Sequence, residues 1–305
     1  MTMLETVRGS VQTWECDMNG HMNVQFYVAH AMDSLRVLGQ TLGIGPNYQH
    51  DLGAGLLPVE QHIRYHRERH PGDPFCVRVG ILAAEAKQLQ VVQEMRSIPD
   101  DSLIATFVSW VQLKDLRSRD TIRLPPAALE LANNYRVELP EHATVRGVSA
   151  AALRPVPTLQ KAAQLGLLHT HTSIVNQRED DGFGHMAIQG FMARVSDAYP
   201  VLMASIPAFE HIDQQGLGGA ALEYRFRYSQ VPLISDIVVI HSGVSAVASK
   251  TYNFCHWLFD SASKACLATA EVVAIPLDLK TRRAVALPDE NRLALSGLVI
   301  TGLTL

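Results

Sequence analysis

Asp17-Met-Asn-Gly-His-Met-Asn23 recurs 164 residues later as Asp181-Gly-Phe-Gly-His-Met-Ala187. An ungapped comparison of residues 17–34 with residues 181–198 gives seven identities in eighteen positions. In both copies the polar loop opens an apolar stretch with helical spacing. A single repeat of this length is too long for a solenoid and indicates two copies of one domain in one chain.

The chain length agrees with a duplication, because 305 residues correspond to about two domains of ordinary size. With 47% hydrophobic and 18% charged residues, each half can bury its own core. A formal net charge of -4 provides no large basic surface, so we expect no nucleic-acid partner. The N-terminal residues lack the pattern of a signal peptide, and no apolar run reaches the roughly 20 residues that cross a bilayer. We therefore expect a cytoplasmic protein without a membrane partner.

Thiol and metal chemistry are not indicated. The four cysteines are widely spaced and form no C-x-x-C pair. Cys16 lies next to the repeated loop, but its counterpart in the second copy is Asp180, which argues against a cysteine nucleophile. His62, His66 and His70 are spaced by four, but the stretch is predicted to begin as a strand and not as a helix, and no carboxylate spacing completes a set of metal ligands. We expect neither a metal ion nor a cofactor.

The spacing of apolar residues predicts the same order of elements in both copies: a strand, a long helix and four strands. In the first copy, apolar residues recur at intervals of three and four from Val24 to Leu42, and Gly43 ends the pattern. Proline, glycine and aspartate mark the turns between the strands. The predicted elements are a strand at 5–14, a helix at 24–42 and strands at 55–66, 74–84, 87–97 and 103–114, and then a strand at 170–179, a helix at 187–205 and strands at 219–230, 236–247, 250–260 and 266–277.

This order of elements is typical of an α+β fold in which an antiparallel sheet wraps around a long central helix. We predict a first domain at residues 1–120 and a second domain at residues 167–305. The intervening segment, 121–166, is predicted to be a connector with a short helix at 126–134.

The repeated loop lies where a strand is followed by a helix, so it is close to unpaired helix N–H groups that stabilise negative charge. We expect Asp17 to act as a nucleophile or as a general base on water, with Asn19 and His21 positioning the water or the substrate carbonyl. Backbone N–H groups in the stretch Gly20–Asn23 would stabilise the oxyanion of a tetrahedral intermediate by about 3 kcal/mol each. The glycine lets the backbone approach the substrate closely.

A purely structural role of the loop stays open, because Asp-x-Asn-Gly forms tight turns and Asn19 or Asn23 can cap a helix. A cap does not require Gly-His-Met in both copies, which favours a functional site. The copies are not equal, since the two asparagines of the first loop are replaced by Phe183 and Ala187 in the second. We therefore predict that Asp17 is the working carboxylate and that the second site is degraded or used differently. The second-copy equivalents are Asp181, Gly184 and His185.

The first loop, together with Tyr27 in the helix that follows, resembles the signature of hotdog-fold thioesterases. This group includes 4-hydroxybenzoyl-CoA thioesterase and the plant acyl-ACP thioesterases. The run Ile63-Arg-Tyr-His-Arg-Glu68, followed by Pro71-Gly-Asp73, is similar to the strand and turn after the central helix in that group. The two copies account for most of the chain outside 120–166, so the resemblance implies a tandem double hotdog.

The resemblance also implies a catalytic role for Asp17, assisted by Asn19 and His21, in an active site at the junction of two hotdog units. Phe183 departs from the family pattern, which places the activity of the second site in doubt. Arg64 can form a bidentate contact with the phosphates of coenzyme A, although an alternating charged strand face explains it equally well. The predicted substrate-binding residues are Gly20, Met22, Asn23, Tyr27, Glu60 and Arg64.

The predicted function is the hydrolysis of an acyl-CoA thioester to a free acid and the CoA thiol. The chain lacks an obvious basic patch for an acidic carrier protein, which favours CoA as the carrier. One alternative is a non-catalytic acyl-CoA binding module, which would not need Asp17. The other is an enoyl-CoA hydratase, although Gly72-Asp73-Pro74 falls short of the run expected in such an enzyme. The exposed sheet edges of this fold are compatible with a homodimer of tandem chains.

Overall fold

The computed structural model describes residues 3–45, 48, 51–152, 154–209 and 216–305. The chain divides into two compact units. The first consists of Met1–Thr144 and Asp181–Met192, and the second consists of Val145–Asp180 and Ala193–Leu305. The domain boundaries given above stay a prediction.

The first copy of the repeat has the predicted order of strand, helix and four strands. Its strands form one antiparallel sheet. Each predicted strand is present, and its ends lie within a residue or two of the predicted ends, except that the first strand ends earlier. The elements are β1 (Leu4–Ser10), α1 (Val24–Thr41), β2 (Ala54–Tyr65), β3 (Pro74–Ala84), β4 (Gln88–Ser97) and β5 (Leu103–Asp115), with the short strand β6 (Thr121–Ile122) and the short helix α2 (Pro126–Ala132) after them. The strand order is β1-β3-β4-β5-β2, and β6 pairs with β5.

Helix α1 forms the centre of the first unit, where it packs against β1, β2 and β3. It begins at Val24 because Asn23 caps it, with Oδ1 accepting the N–H of Gln25 at 3.0 Å. Its inward face is fully buried and includes Val28, Leu35 and other apolar residues at helical spacing. Burial of one such side chain contributes about 1.5–3 kcal/mol. This packing places the start of the helix, and therefore the loop before it, at one end of the sheet.

The first strand is shorter than its sequence predicts. β1 ends at Ser10, because Gln12 and Glu15 form a capping box around a single 3-10 turn at Thr13–Glu15. Oε2 of Glu15 accepts the N–H of Gln12 at 2.8 Å, which turns the chain away from the sheet. The predicted strand at 5–14 is therefore wrong in its last four residues.

The second copy repeats the order of the first. Its predicted strand at 170–179 ends early for the same reason, because Asn176 and Glu179 form the equivalent capping box. The elements are α3 (Leu159–Gln164), β7 (Leu168–Ile174), α4 (Gln189–Ala204), β8 (Leu217–Tyr228), β9 (Ile237–Val247), β10 (Tyr252–Asp260), β11 (Cys266–Asp278), β12 (Arg283–Ala284) and α5 (Asp289–Gly297). The antiparallel order is β8-β11-β10-β9-β7, and β12 pairs with β11.

None of the described helices is both long and apolar enough to cross a bilayer.

Helix α4 begins two residues later than the sequence predicts. The position that Asn23 occupies in the first copy is held here by Ala187, which has no side-chain acceptor for the first helical N–H groups.

The sheet of the second unit contains a buried chain of polar side chains. Oγ of Ser242 lies 2.6 Å from Oγ1 of Thr170 and 2.7 Å from Nδ1 of His256. All three residues are fully buried. Burial lowers the pKa of His256 to about 4, because the imidazolium form would lose its hydration without gaining a charged partner.

The free energy of unfolding should decrease by about 2 kcal/mol between pH 7 and pH 5 through His256. The unfolded chain binds the proton near its ordinary pKa of 6.5, whereas the folded chain binds it only near pH 4, so the loss begins as the pH falls below 6.5. Urea unfolding of wild type and His256→Asn at both pH values measures this effect. The variant should lose that part of the pH dependence, and the exposed control His169→Asn should retain it. An unchanged pH dependence in His256→Asn would contradict the assignment.

Candidate active site

The first repeated loop is a tight antiparallel turn. Cys16 and Met22 form an isolated antiparallel bridge that closes it. Inside the bridge, the N–H of Asp17 donates to the carbonyl of His21, and the N–H of Gly20 donates to the carbonyl of Asp17, both at 3.0 Å. Gly20 has a φ of 73°, a left-handed conformation that is costly for residues with a Cβ atom. These hydrogen bonds and the left-handed glycine therefore fix the path of the loop.

The Asp17 carboxylate is oriented by its own loop. Oδ1 accepts the backbone N–H of Asn19 at 2.8 Å and lies 3.3 Å from Nδ1 of His21. That nitrogen is buried and close enough for an ion pair, but it is not aligned for a hydrogen bond. Among the described residues, Oδ2 of Asp17 has no hydrogen-bond partner, and the side chain is 25% exposed. One carboxylate oxygen is thus fixed by the loop, and the other is left without a partner among the described residues.

The backbone N–H groups that follow Asp17 are mostly used inside the protein. Those of Gly20, Met22 and Asn23 donate to backbone carbonyls at 2.8–3.0 Å. In the part of the chain that the structure describes, the N–H groups of His21 and Val24 have no acceptor. Of the expected stretch Gly20–Asn23, only the N–H of His21 is left as a candidate oxyanion donor, and Val24, just after that stretch, adds a second.

Met22 and Tyr27 lie in the core of the first unit. The ring of Tyr27 packs edge-to-face against that of Tyr65, with centroids 5.1 Å apart. Burial raises the pKa of the Tyr27 hydroxyl far above its ordinary value. Both side chains hold the loop and the helix together, and their contact with a substrate stays a prediction.

Glu60 and Arg64 lie on β2, and within the described part of the chain Arg64 forms no hydrogen bond or ion pair with the Asp17 loop. Nη1 of Arg64 donates to the carbonyls of His142 and Thr144 at 2.9 and 3.0 Å. This guanidinium group therefore fixes the connector to the first sheet. A role of either residue in substrate binding remains a prediction.

The second loop has the same backbone path but a different environment around its carboxylate. The N–H of Asp181 again donates across the loop, to the carbonyl of His185, at 2.9 Å. Oδ1 of Asp181 accepts the N–H of Phe183 at 3.0 Å, and Oδ2 is paired with the guanidinium group of Arg119. The two paired side chains are only 11% and 14% exposed. Gly184 keeps the left-handed conformation of its counterpart, with a φ of 83°. Both oxygens of this carboxylate are therefore occupied.

The surface next to the two carboxylates also differs. Trp14 and Met18 flank Asp17 and are 73% and 96% exposed. The same positions of the second copy hold Arg178 and Gly182. The first loop therefore presents two large and well-exposed apolar side chains beside its carboxylate, whereas the large apolar residue of the second loop, Phe183, is half-buried.

Three residues that support the first loop escaped the sequence reasoning. Glu15 lies two residues before Asp17, and its Oε1 is 3.1 Å from Nε2 of His30. Nδ1 of His70 donates to the carbonyl of Gly20 at 3.0 Å. A signal for the first pair existed, because Glu15 and Glu179 occupy the same position of the repeat. No local pattern identifies His70, which lies 50 residues from its partner.

Two helices, each preceded by the same polar turn and followed by four antiparallel strands, define a double-hotdog protein. The chain belongs to the thioesterase-like superfamily, whose family model matches residues 11–132 and again residues 175–295. Each of the two matches contains its own copy of the loop, so the tandem repeat expected from the sequence is confirmed.

Similarity to solved structures extends over nearly the whole chain and shows the fold. A provisionally assigned oleoyl thioesterase from Lactobacillus plantarum is 12% identical, with a TM-score of 0.66, and the match covers 90% of this chain and 96% of that one. An acyl-ACP thioesterase from Bacteroides thetaiotaomicron is 11% identical, with a TM-score of 0.64 and coverage of 88% and 96%. The 12:0-ACP thioesterase from Umbellularia californica is 11% identical, with a TM-score of 0.63 and coverage of 88% and 93%. No curated protein sequence matches the chain.

Replacement of Arg119 by Ala should lower the free energy of unfolding by about 3 kcal/mol, because the Asp181 carboxylate would stay buried without its partner. The double variant Arg119→Ala with Asp181→Asn should recover part of this loss, since it removes the unpaired charge. Chemical denaturation of both variants measures the difference. A double variant that is no more stable than Arg119→Ala would show that the ion pair is not what holds the second loop.

Proposed function

We propose that the protein hydrolyses acyl thioesters, with acyl-CoA as the substrate, and that Asp17 is the reacting carboxylate. The observation that carries the proposal is the state of its two oxygens. Oδ1 is held by the N–H of Asn19, while Oδ2 has no partner among the described residues and the side chain is 25% exposed. The duplicated carboxylate, Asp181, is instead paired with Arg119.

Two routes are compatible with this geometry. In the first, Oδ2 of Asp17 attacks the thioester carbonyl carbon, the thiolate leaves, and water then hydrolyses the mixed anhydride. In the second, the carboxylate removes a proton from a water molecule as that water attacks the carbonyl. Both routes pass through a tetrahedral oxyanion, for which the N–H groups of His21 and Val24 are the proposed donors. One such donor contributes about 3 kcal/mol to the transition state.

The roles of the neighbouring side chains follow from their positions. Nδ1 of His21, 3.3 Å from Oδ1 of Asp17, is proposed to keep the carboxylate oriented and to stabilise its charge. The backbone of Asn19 fixes Oδ1, and its exposed side chain is proposed to position the water or the substrate carbonyl. Trp14 and Met18 are proposed to contact the apolar part of the substrate beside the reacting carbon.

The carrier of the acyl group is proposed to be CoA, because a net charge of -4 does not favour an acidic carrier protein. Two of the structures with the same fold are acyl-ACP thioesterases by name, at 11% identity. A direct comparison of the two carriers is therefore part of the test.

Thiol release should be measured with short, long and aromatic acyl-CoAs and with acyl-ACPs of the same acyl groups. Asp17→Asn should lower kcat at least about 100-fold, because the amide can neither attack the carbonyl nor accept a proton. Asp181→Asn is the matched control and should stay within about threefold of wild type, as expected for a residue that acts in structure alone. Thermal denaturation checks that both variants are folded.

Each other outcome identifies a different function or site. Equal loss of activity in both variants would mean that both loops are catalytic. Binding of an acyl-CoA without cleavage, unchanged in Asp17→Asn, would indicate a binding module. Consumption of an enoyl-CoA without thiol release would indicate a hydratase.

A further inference from the structure

Glu15 connects three parts of the first loop region. Its carboxylate accepts the N–H of Gln12 at 2.8 Å, and its backbone carbonyl accepts the N–H of Asn23 at 2.8 Å. The first bond fixes the chain before the loop, and the second fixes the residue that caps α1. The remaining carboxylate oxygen, Oε1, lies 3.1 Å from Nε2 of His30. Both ends of the loop are therefore bonded to Glu15, one to its carboxylate and the other to its backbone carbonyl.

His30 is the side chain that holds this carboxylate from the helix. It lies in the second turn of α1, and its ring packs against Phe75 with centroids 4.7 Å apart. The side chains of His30 and Glu15 are only 18% and 9% exposed. A buried carboxylate without a hydrogen-bonding or cationic partner is costly, so the imidazole is needed to keep Glu15 in place.

The second copy contains the same arrangement with a different partner. Glu179 accepts the N–H of Asn176 at 2.8 Å, as Glu15 does at its own position. Its carboxylate is held by the guanidinium group of Arg194 through two bonds, at 2.6 and 3.1 Å. Arg194 stands at the position that His30 occupies in the first copy. Each copy therefore has a hydrogen-bond donor at this position, and the two donors are of different types.

We propose that Glu15 and His30 are positioning residues of the first loop and that they hold Asp17 in the geometry used for hydrolysis. This inference rests on the proposed function for its catalytic part, and on geometry alone for its structural part. Loss of His30 should release the carboxylate of Glu15, loosen the bond to Asn23 and widen the range of positions that Asp17 adopts. A displacement of about 1 Å in a reacting group can cost about 100-fold in rate.

The test compares His30→Ala with His30→Arg, the residue that the second copy uses. His30→Ala should lower kcat for the best acyl thioester about 10- to 100-fold, with a much smaller change in KM. His30→Arg should restore kcat to within about fivefold of wild type, because it can form the pair seen between Glu179 and Arg194. If His30→Ala lowered kcat only by destabilising the whole fold, the larger side chain of His30→Arg would not restore kcat.

Arg194→Ala is the matched control. It removes the equivalent partner from the second loop and should lower the denaturation midpoint, while kcat of the folded protein stays within about threefold of wild type. A loss of kcat in Arg194→Ala equal to that in His30→Ala would overturn the assignment of the effect to Asp17.

Hydrogen exchange separates this proposal from the proposed function. In His30→Ala, the backbone N–H groups of residues 16–23 should exchange at least about tenfold faster, and His30→Arg should reverse this change. Unchanged exchange in His30→Ala would overturn the positioning role, whatever the activity. Faster exchange with unchanged kcat would overturn the link to catalysis. If wild type cleaves no acyl thioester, the proposed function and the catalytic role fall together, and exchange still decides the structural role.

Discussion

The hydrogen bond from the N–H of Asn23 to the carbonyl of Glu15 joins the 3-10 turn that follows β1 to the start of the central helix α1. The seven residues between them must then form a closed turn, which explains the left-handed Gly20 and the bridge between Cys16 and Met22. Because the helix itself is locked in the core of the first unit, this turn has a fixed position on the sheet. The orientation of the Asp17 carboxylate follows from that single constraint.

The two copies of the repeat share this backbone arrangement and differ in the side chains that it carries. Both loops keep the bond from the aspartate N–H to the histidine carbonyl, and both keep a capping box before the turn. The first loop combines a carboxylate oxygen that has no partner among the described residues with exposed apolar neighbours, whereas in the second loop Arg119 neutralises Asp181. A carboxylate in an ion pair stabilises the fold, and one with an unengaged oxygen can react. The two loops therefore have nearly the same backbone path and differ in the charge and the size of the side chains around their carboxylates.

The sequence predicts the fold well because the fold depends on apolar spacing. The helix predicted at 24–42 is observed at Val24–Thr41, and the strand predicted at 74–84 is observed at Pro74–Ala84. The early end of the first strand could not be read from hydrophobic alternation, since it depends on a side chain of Glu15 that binds a backbone N–H group.

The predicted core of the site, Asp17 with Asn19 and His21, is brought together in the structure because the three residues share one short turn. The partners of that turn come from distant parts of the chain and leave no local pattern. Arg119 lies 62 residues from Asp181, and Arg64 meets carbonyl groups about 80 residues away. Such pairs depend on strand register and on the path of the connector, which one sequence does not reveal.

The most direct test of the account is the number of working sites in one chain. Isothermal titration with a non-hydrolysable thioether analogue of the best acyl thioester measures it. The account predicts one molecule bound for each chain, and no binding after Asp17→Arg, which places a bulky cation at the first loop. Two equivalent molecules bound for each chain, with one remaining after Asp17→Arg, would contradict the proposal that the second site is inactive because Asp181 is paired with Arg119.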